Sequence, residues 1–146
     1  SLSKFDNEHG MANSRARLRM TTLYQVAAAN KGIVVGTGNK IEDFGVGFYT
    51  KYGDGGVDIL PIADCTKSEV WELGKELGIL DEIISAQPTD GLWDDGRTDV
   101  GQLGLTYQEL EEAMANPNSP NRSKYLEKRK LNLHKMGPIP VCKIPN

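Results

Sequence analysis

The run Ile33-Val34-Val35, closed on both sides by Gly32 and Gly36, constrains the fold more than any other feature of the chain. Three β-branched residues in succession, with no polar alternation, describe a short strand buried on both faces, which is the habit of a parallel sheet. Parallel strands need long crossovers, and helical patterns flank the run. From Ala12 to Asn30 the apolar positions Ala16, Met20, Leu23 and Ala27 recur at helical spacing with neither Gly nor Pro between them, so a helix of about five turns precedes the strand. Thr37-Gly38-Asn39-Lys40 then reads as a strand-end loop, Ile41 to Val46 as a short helix, Thr50 to Gly56 as a glycine-rich loop and Val57 to Ile62 as a second strand.

The remainder is punctuated by capping chemistry. Thr66-Lys67-Ser68-Glu69 and Thr106-Tyr107-Gln108-Glu109 both place a hydroxyl three residues before a carboxylate, the spacing that satisfies free backbone donors at a helix start. The first of these helices runs to Leu77 and stops at Gly78. Ser85 to Gly104 carries Pro88, several glycines and several aspartates, and reads as a long loop of the functional kind. Asn116 to Asn121 breaks the second helix, Arg122 to Lys135 permits another, and Gly137-Pro138-Ile139-Pro140 ends it in an extended tail. Helices alternating with strands predict an α/β parallel arrangement, with ligands bound beyond the carboxyl ends of the strands. Two strands alone make a poor sheet.

Composition removes several function classes. A net charge of −3 with 25% charged residues lacks the surplus of Lys and Arg that nucleic-acid binding needs. No apolar run approaches the ~20 residues of a membrane span, and the polar, charged Ser1 to Gly10 is unlike a signal peptide, so a cytoplasmic protein is expected. Cys65 and Cys142 stand far apart with no partner at metal-ligand spacing, and both read as reduced thiols.

Candidate chemistry gathers at a few places. At 100° per residue, Asn13, Arg17 and Tyr24 fall within about 40° of one another, beside the apolar stripe. An amide, a guanidinium and a phenol on one face suit a ligand with oxyanions next to an aromatic ring, although a solvated polar face has the same spacing. Thr37 offers a hydroxyl at the first strand end, and Glu42, one turn later, offers a hard oxygen for a cation such as Mg²⁺; an ordinary exposed Glu is the simpler alternative. Gly36-Thr37-Gly38-Asn39-Lys40 fits neither the dinucleotide fingerprint nor the P-loop spacing. Lys51, Asp54 and Asp58 stand among glycines that admit close approach of a ligand, though Asp54-Gly55 is equally an everyday turn. Trp71, at helical spacing with Val70, Gly74 and Leu77, reads as core packing, and His134 alone is a weak signal.

Taken together, Asn13 to Met20 (Asn-Ser-Arg-Ala-Arg-Leu-Arg-Met), Gly36 to Asp43 (Gly-Thr-Gly-Asn-Lys-Ile-Glu-Asp), Phe48 to Gly56 (Phe-Tyr-Thr-Lys-Tyr-Gly-Asp-Gly-Gly) and His134-Lys135 resemble NAD synthetases in order and spacing. The resemblance covers nearly the whole chain, and Thr50 to Gly56, followed by Asp58 and Leu60-Pro61, is its most specific block. It implies the C-terminal part of a doubly wound parallel-sheet domain, Rossmann-like and of the ATP-pyrophosphatase (adenine nucleotide alpha-hydrolase-like) type. It implies ATP-dependent, Mg²⁺-assisted amidation of deamido-NAD with ammonia through an acyl-adenylate, with no side-chain nucleophile. It further implies that Arg17, Lys51, Asp58, His134 and Lys135 contact deamido-NAD, with Asn13 and Tyr24 as lesser candidates. Thr37, Lys67 and Thr89 would contact ATP, and Glu42 would bind Mg²⁺. Family members are homodimers with the deamido-NAD site at the subunit interface, and the Asn13 to Asn30 helix resembles an interface helix.

The family's Ser-Gly-Gly-x-Asp-Ser loop, which grips the ATP phosphates, does not occur in these 146 residues. The expectation is therefore the C-terminal portion of one synthetase domain without its first strands and phosphate loop, binding substrate weakly and inactive alone. A non-catalytic dimerisation or nucleotide-binding module on the same scaffold is the competing class. In Thr98-Asp99-Val100-Gly101-Gln102-Leu103-Gly104, relatives carry further acids after the Asp, so the charge of this segment is reduced here.

Overall fold

The computed structural model describes residues 2–5 and 7–144. Helix α1, Glu8–Ala29, runs for 22 residues. It starts four residues ahead of the apolar pattern because Asn7 supplies the cap: its side-chain oxygen accepts the Gly10 N–H at 2.7 Å. Of the expected stripe Ala16 is buried, Met20 and Ala27 are half-buried and Leu23 is 55% exposed, while Ala12, one turn ahead of it, is also buried.

The expected parallel sheet is reduced to its contact point. Val35 and Ile59 form an isolated parallel bridge, and no longer strand forms among the described residues. The Gly36 N–H donates to Ile59 O at 2.8 Å and the Asp58 N–H to Val34 O at 2.9 Å, so the two segments run as the sequence predicts. Pairing stops there because a side chain replaces the next backbone rung: Asp58 Oδ2 accepts the Val34 N–H at 2.7 Å. Ile33 and Val35, expected to be buried on both faces, are 60% and 54% exposed.

The segment Lys40–Val46 is helical as expected but wound as a π-helix, a form that concentrates at functional sites. Buried Asn39 starts it, its Oδ1 accepting the N–H groups of Ile41 and Glu42, both at 3.0 Å. Gly47 ends it at φ +67°, where a Cβ would also sit 2.5 Å from that of Asn132. That close approach lets the last long helix lie against the π-helical turn.

Helices α2 (Lys67–Glu76), α3 (Asp81–Ile84), α4 (Asp99–Leu103), α5 (Tyr107–Ala115) and α6 (Arg122–Met136) follow. Both capping boxes form as predicted at Thr66/Glu69 and Thr106/Glu109. Helix α4 interrupts what reads in sequence as a continuous loop. It exists because Thr98 accepts the Gly101 N–H at 3.1 Å and Gly104, at φ +65°, closes it after too few residues to show periodicity. The core is made by helices: Ile41 and Val46 of the π-helical turn pack with Leu103, Leu105, Tyr107, Leu110, Ala113 and Tyr125. Trp71 joins its edge, meeting the Tyr107 ring edge-on at 6.1 Å between centroids. Full burial of each large side chain contributes about 1.5–3 kcal/mol, so this helical cluster, rather than sheet pairing, holds the described fold.

Two adjoining cavities as the candidate functional site

The side chains singled out in sequence sort into two neighbouring cavities. Asn13, Arg17, Lys51, His134 and Lys135 line the first, of about 330 Å³. Thr37, Glu42, Lys67 and Thr89 line the second, of about 630 Å³. Phe48, Asp54, Asp90 and Leu92 border both. Tyr24 and Asp58 line neither of these two; the Tyr24 hydroxyl donates to Asp58 Oδ1 at 3.2 Å, and Asp58 anchors Val34 as described above.

In the first cavity the cations are set by backbone oxygens rather than carboxylates. Arg17 Nε donates to Lys51 O at 3.1 Å, and Lys51 Nζ donates to His134 O at 3.2 Å, which brings α1, the Thr50–Gly56 loop and α6 together. Thr50 Oγ1 donates to Asn13 Oδ1 at 2.6 Å, fixing that amide. Carbonyl partners leave these positive charges uncancelled, as an anionic ligand requires. Lys135 is held more tightly: its ammonium donates to Gly47 O and, at 2.7 Å, to Tyr49 O, and lies 5.0 Å from the Tyr49 ring centre. Burial lowers its pKa, against the pull of Asp54 and Asp43. Asp43 itself, only 7% exposed, is pushed up to about 7, chiefly by burial and then by Asp54 and Glu42, with Lys135 opposing.

The second cavity is organised around one hydroxyl. Tyr107 donates to Glu42 Oε1, 2.6 Å away, and lies 3.0 Å from Asp99 Oδ2. Lys67 Nζ reaches the same Glu42 oxygen at 3.0 Å and stands 4.9 Å from the Tyr107 ring centre. Burial, then the Glu42 charge, pushes the Tyr107 pKa far up, so the phenol keeps its proton. Burial also raises Asp99, with the Tyr107 contact opposing. Neither Tyr107 nor Asp99 is marked by sequence pattern: the first hides inside a capping box, the second in a segment read as loop.

Does this chemistry fit a divalent cation? Glu42 presents a hard oxygen at the wall of the second cavity, beside Thr37 and Asp99, and already accepts a positively charged donor, which suits Mg²⁺. Among the described residues, no group of three or more His, Cys, Asp or Glu side chains could hold a metal. The fit is that of Mg²⁺ bound by few protein oxygens together with substrate phosphates.

The roof over both cavities is the segment from Pro88 to Arg97, strapped to α1 by two arginines. Arg15 donates to Leu92 O at 2.6 Å and Asp94 Oδ2 at 3.3 Å; Arg19 donates to Asp90 O at 3.3 Å and Gly91 O at 2.8 Å. Asp90 in turn accepts Trp93 Nε1 at 3.2 Å and Gln102 Nε2 at 3.1 Å. Thr89, expected to contact ATP, sits in this strap and donates to Arg97 O at 3.2 Å. Sequence reading places Arg15 and Arg19 in the resembling block without assigning them a task.

Comparison with known proteins agrees with the resemblance. The family model described as NAD synthase matches residues 2–139. An NH(3)-dependent NAD(+) synthetase of Carboxydothermus hydrogenoformans is 50% identical over 101 residues, 69% of this chain and 41% of the relative. That of Alkaliphilus metalliredigens is 44% identical over 133 residues, 88% of this chain and 53% of the relative. The chain thus spans about half the length of the curated relatives it matches. Among solved structures, the NMN synthetase of Francisella tularensis superposes with a TM-score of 0.81 at 36% identity, covering 99% of this chain and 59% of that one. The NH3-dependent NAD synthetase of Campylobacter jejuni shares the fold, with a TM-score of 0.64 at 24% identity over 90% of this chain and 54% of that one.

Proposed function

The chain belongs to the NAD synthase family, and on that premise we propose that it carries the acceptor site and part of the ATP site for amidation of deamido-NAD to NAD. The observation that supports this reading is the sorting of side chains: those expected at deamido-NAD line one cavity, those expected at ATP line the next, and four residues border both. An acyl-adenylate requires that arrangement, because the nicotinate carboxylate and the α-phosphate must meet.

In the first step a carboxylate oxygen forms a bond to the α-phosphorus while pyrophosphate leaves with the electrons of the broken P–O bond. Arg17 and Lys51 hold the acceptor's phosphates, and Lys67 sets positive charge opposite those of ATP. In the second step the ammonia nitrogen attacks the acyl carbon, AMP departs with the C–O electrons, and a proton leaves the nitrogen. Mg²⁺, held by Glu42 when bound, neutralises phosphate oxygens that would otherwise repel the carboxylate. The Pro88–Arg97 strap limits water at an adenylate that water would hydrolyse. The reading includes a cytoplasmic homodimer with α1 at its interface.

Turnover further requires a phosphate-gripping loop, and the 146 residues contain no Ser-Gly-Gly-x-Asp-Ser sequence. The chain on its own therefore binds deamido-NAD and forms no NAD. Titration calorimetry of deamido-NAD, with NAD formation from ATP and ammonia assayed in the same preparation, tests both halves. Binding without turnover supports the proposal; turnover refutes the need for the loop, and absence of binding refutes the acceptor site. A second reading, with nicotinate mononucleotide as acceptor, is favoured by the 0.81 likeness to a protein titled NMN synthetase. It requires the mononucleotide to bind at least as tightly as the dinucleotide in the same titration.

A further inference from the structure

The Tyr107 hydroxyl has one proton to give, yet two carboxylates approach its oxygen, Glu42 at 2.6 Å and Asp99 at 3.0 Å. One proton cannot serve both. The second oxygen of Asp99, Oδ1, is buried and has no hydrogen-bond partner among the described residues, although the residue is only 6% exposed. A carboxylate oxygen left in that condition marks an unmet partner, because buried polar groups are otherwise satisfied. Asp99 lines the second cavity together with Glu42 and Thr37. Lys67 brings a single positive charge to two carboxylates, so the cluster lacks one charge as well as one donor. A divalent cation brings positive charge to two carboxylates at once and takes up a lone pair that lacks a donor.

We propose that Asp99 is a ligand of the divalent cation bound in the second cavity, together with Glu42. The proposal rests on the reading of Glu42 as a cation ligand and adds a residue to it. Local structure supports the placement. The Asp99 N–H donates to Pro88 O at 3.0 Å, which fixes the carboxylate beside the strap that carries Thr89. Asp99 is the only acid between Thr98 and Gly104, so no neighbour in that segment can take its place.

The test is Mn²⁺ binding to the full chain, read from loss of the free-ion electron paramagnetic resonance signal, for wild type, Glu42→Gln, Asp99→Asn and the exposed control Asp81→Asn on α3. Asp99→Asn keeps the shape and an acceptor for Tyr107 but removes the charge, and is expected to weaken Mn²⁺ binding by about tenfold or more, with Asp81→Asn unchanged. Unchanged affinity in Asp99→Asn overturns the proposal, and if Glu42→Gln loses binding at the same time the Glu42 reading survives. No Mn²⁺ binding by wild type overturns both. A measurement free of variants keeps the test open should Asp99→Asn unfold: Fe²⁺ with ascorbate and peroxide cuts backbone near the bound ion. Cuts are expected near both Glu42 and Asp99, and cuts near Glu42 alone overturn the proposal.

Discussion

Replacing Asp43 with Asn is expected to stabilise the protein at alkaline pH and to do little in acid. Asp43 is 7% exposed and packs against Gly38, where even a single added Cβ would sit 2.0 Å from its Oδ2. Its carboxyl moves from an ordinary 3.8 to about 7 through burial, Asp54 and Glu42, with Lys135 opposing. Because the folded value exceeds the unfolded one, the protonated group favours the fold fully below pH ~4, and this contribution is lost as pH rises through 7. At 1.36 kcal/mol per pH unit the whole displacement is on the order of 4 kcal/mol, of which roughly 3 kcal/mol falls between pH 5 and pH 8. Asn cannot ionise and keeps nearly the same volume. Urea unfolding of wild type and Asp43→Asn should therefore show a stability difference that grows by roughly that amount from pH 5 to pH 8. A difference that stays constant with pH would refute the assignment of the buried charge to Asp43.

Other consequences are simpler to check. Leu110 is fully buried at the centre of the helical core, so Leu110→Ala should cost about 2–5 kcal/mol in the same urea experiment. Arg19 holds Asp90 and Gly91 through their carbonyls; in Arg19→Ala, hydrogen exchange should accelerate across Pro88 to Arg97 and remain unchanged in α5. Ile33, Val35 and Ile59 expose apolar surface beside a single rung of pairing, an open edge of the kind that recruits other chains. Sedimentation velocity should accordingly show concentration-dependent self-association, and a monodisperse, cooperatively melting monomer would contradict this.

The parts of the fold that local chemistry dictates were readable in the sequence. Thr66/Glu69 and Thr106/Glu109 need only their own residues to cap a helix, and both do so. The order of Val34–Gly36 and Val57–Leu60 was also readable, but their length as strands was not, because pairing depends on neighbours outside the segment and on Asp58 turning its carboxylate onto a backbone donor. Helix α4 escaped because five residues carry no period and its cap, Thr98, has Gly101 rather than a Glu or Gln three residues on. The cavities follow the same division. The block from Thr50 to Gly56 and the pair His134-Lys135 pointed to ligands by resemblance, and Lys51, His134 and Lys135 meet at one cavity. Asp99 and Tyr107 did not stand out, since burial and a shared proton are three-dimensional properties that spacing cannot reveal.

Whether one cavity takes the acceptor and the next takes ATP is decided by a paired titration of deamido-NAD and ATP into wild type, Lys51→Ala and Lys67→Ala. Each loss of a charge-assisted contact should cost about 1.5–3 kcal/mol, roughly ten- to hundredfold in affinity. Lys51→Ala should weaken deamido-NAD alone and Lys67→Ala should weaken ATP alone. Equal loss of both ligands in either variant, or loss in neither, would contradict that division.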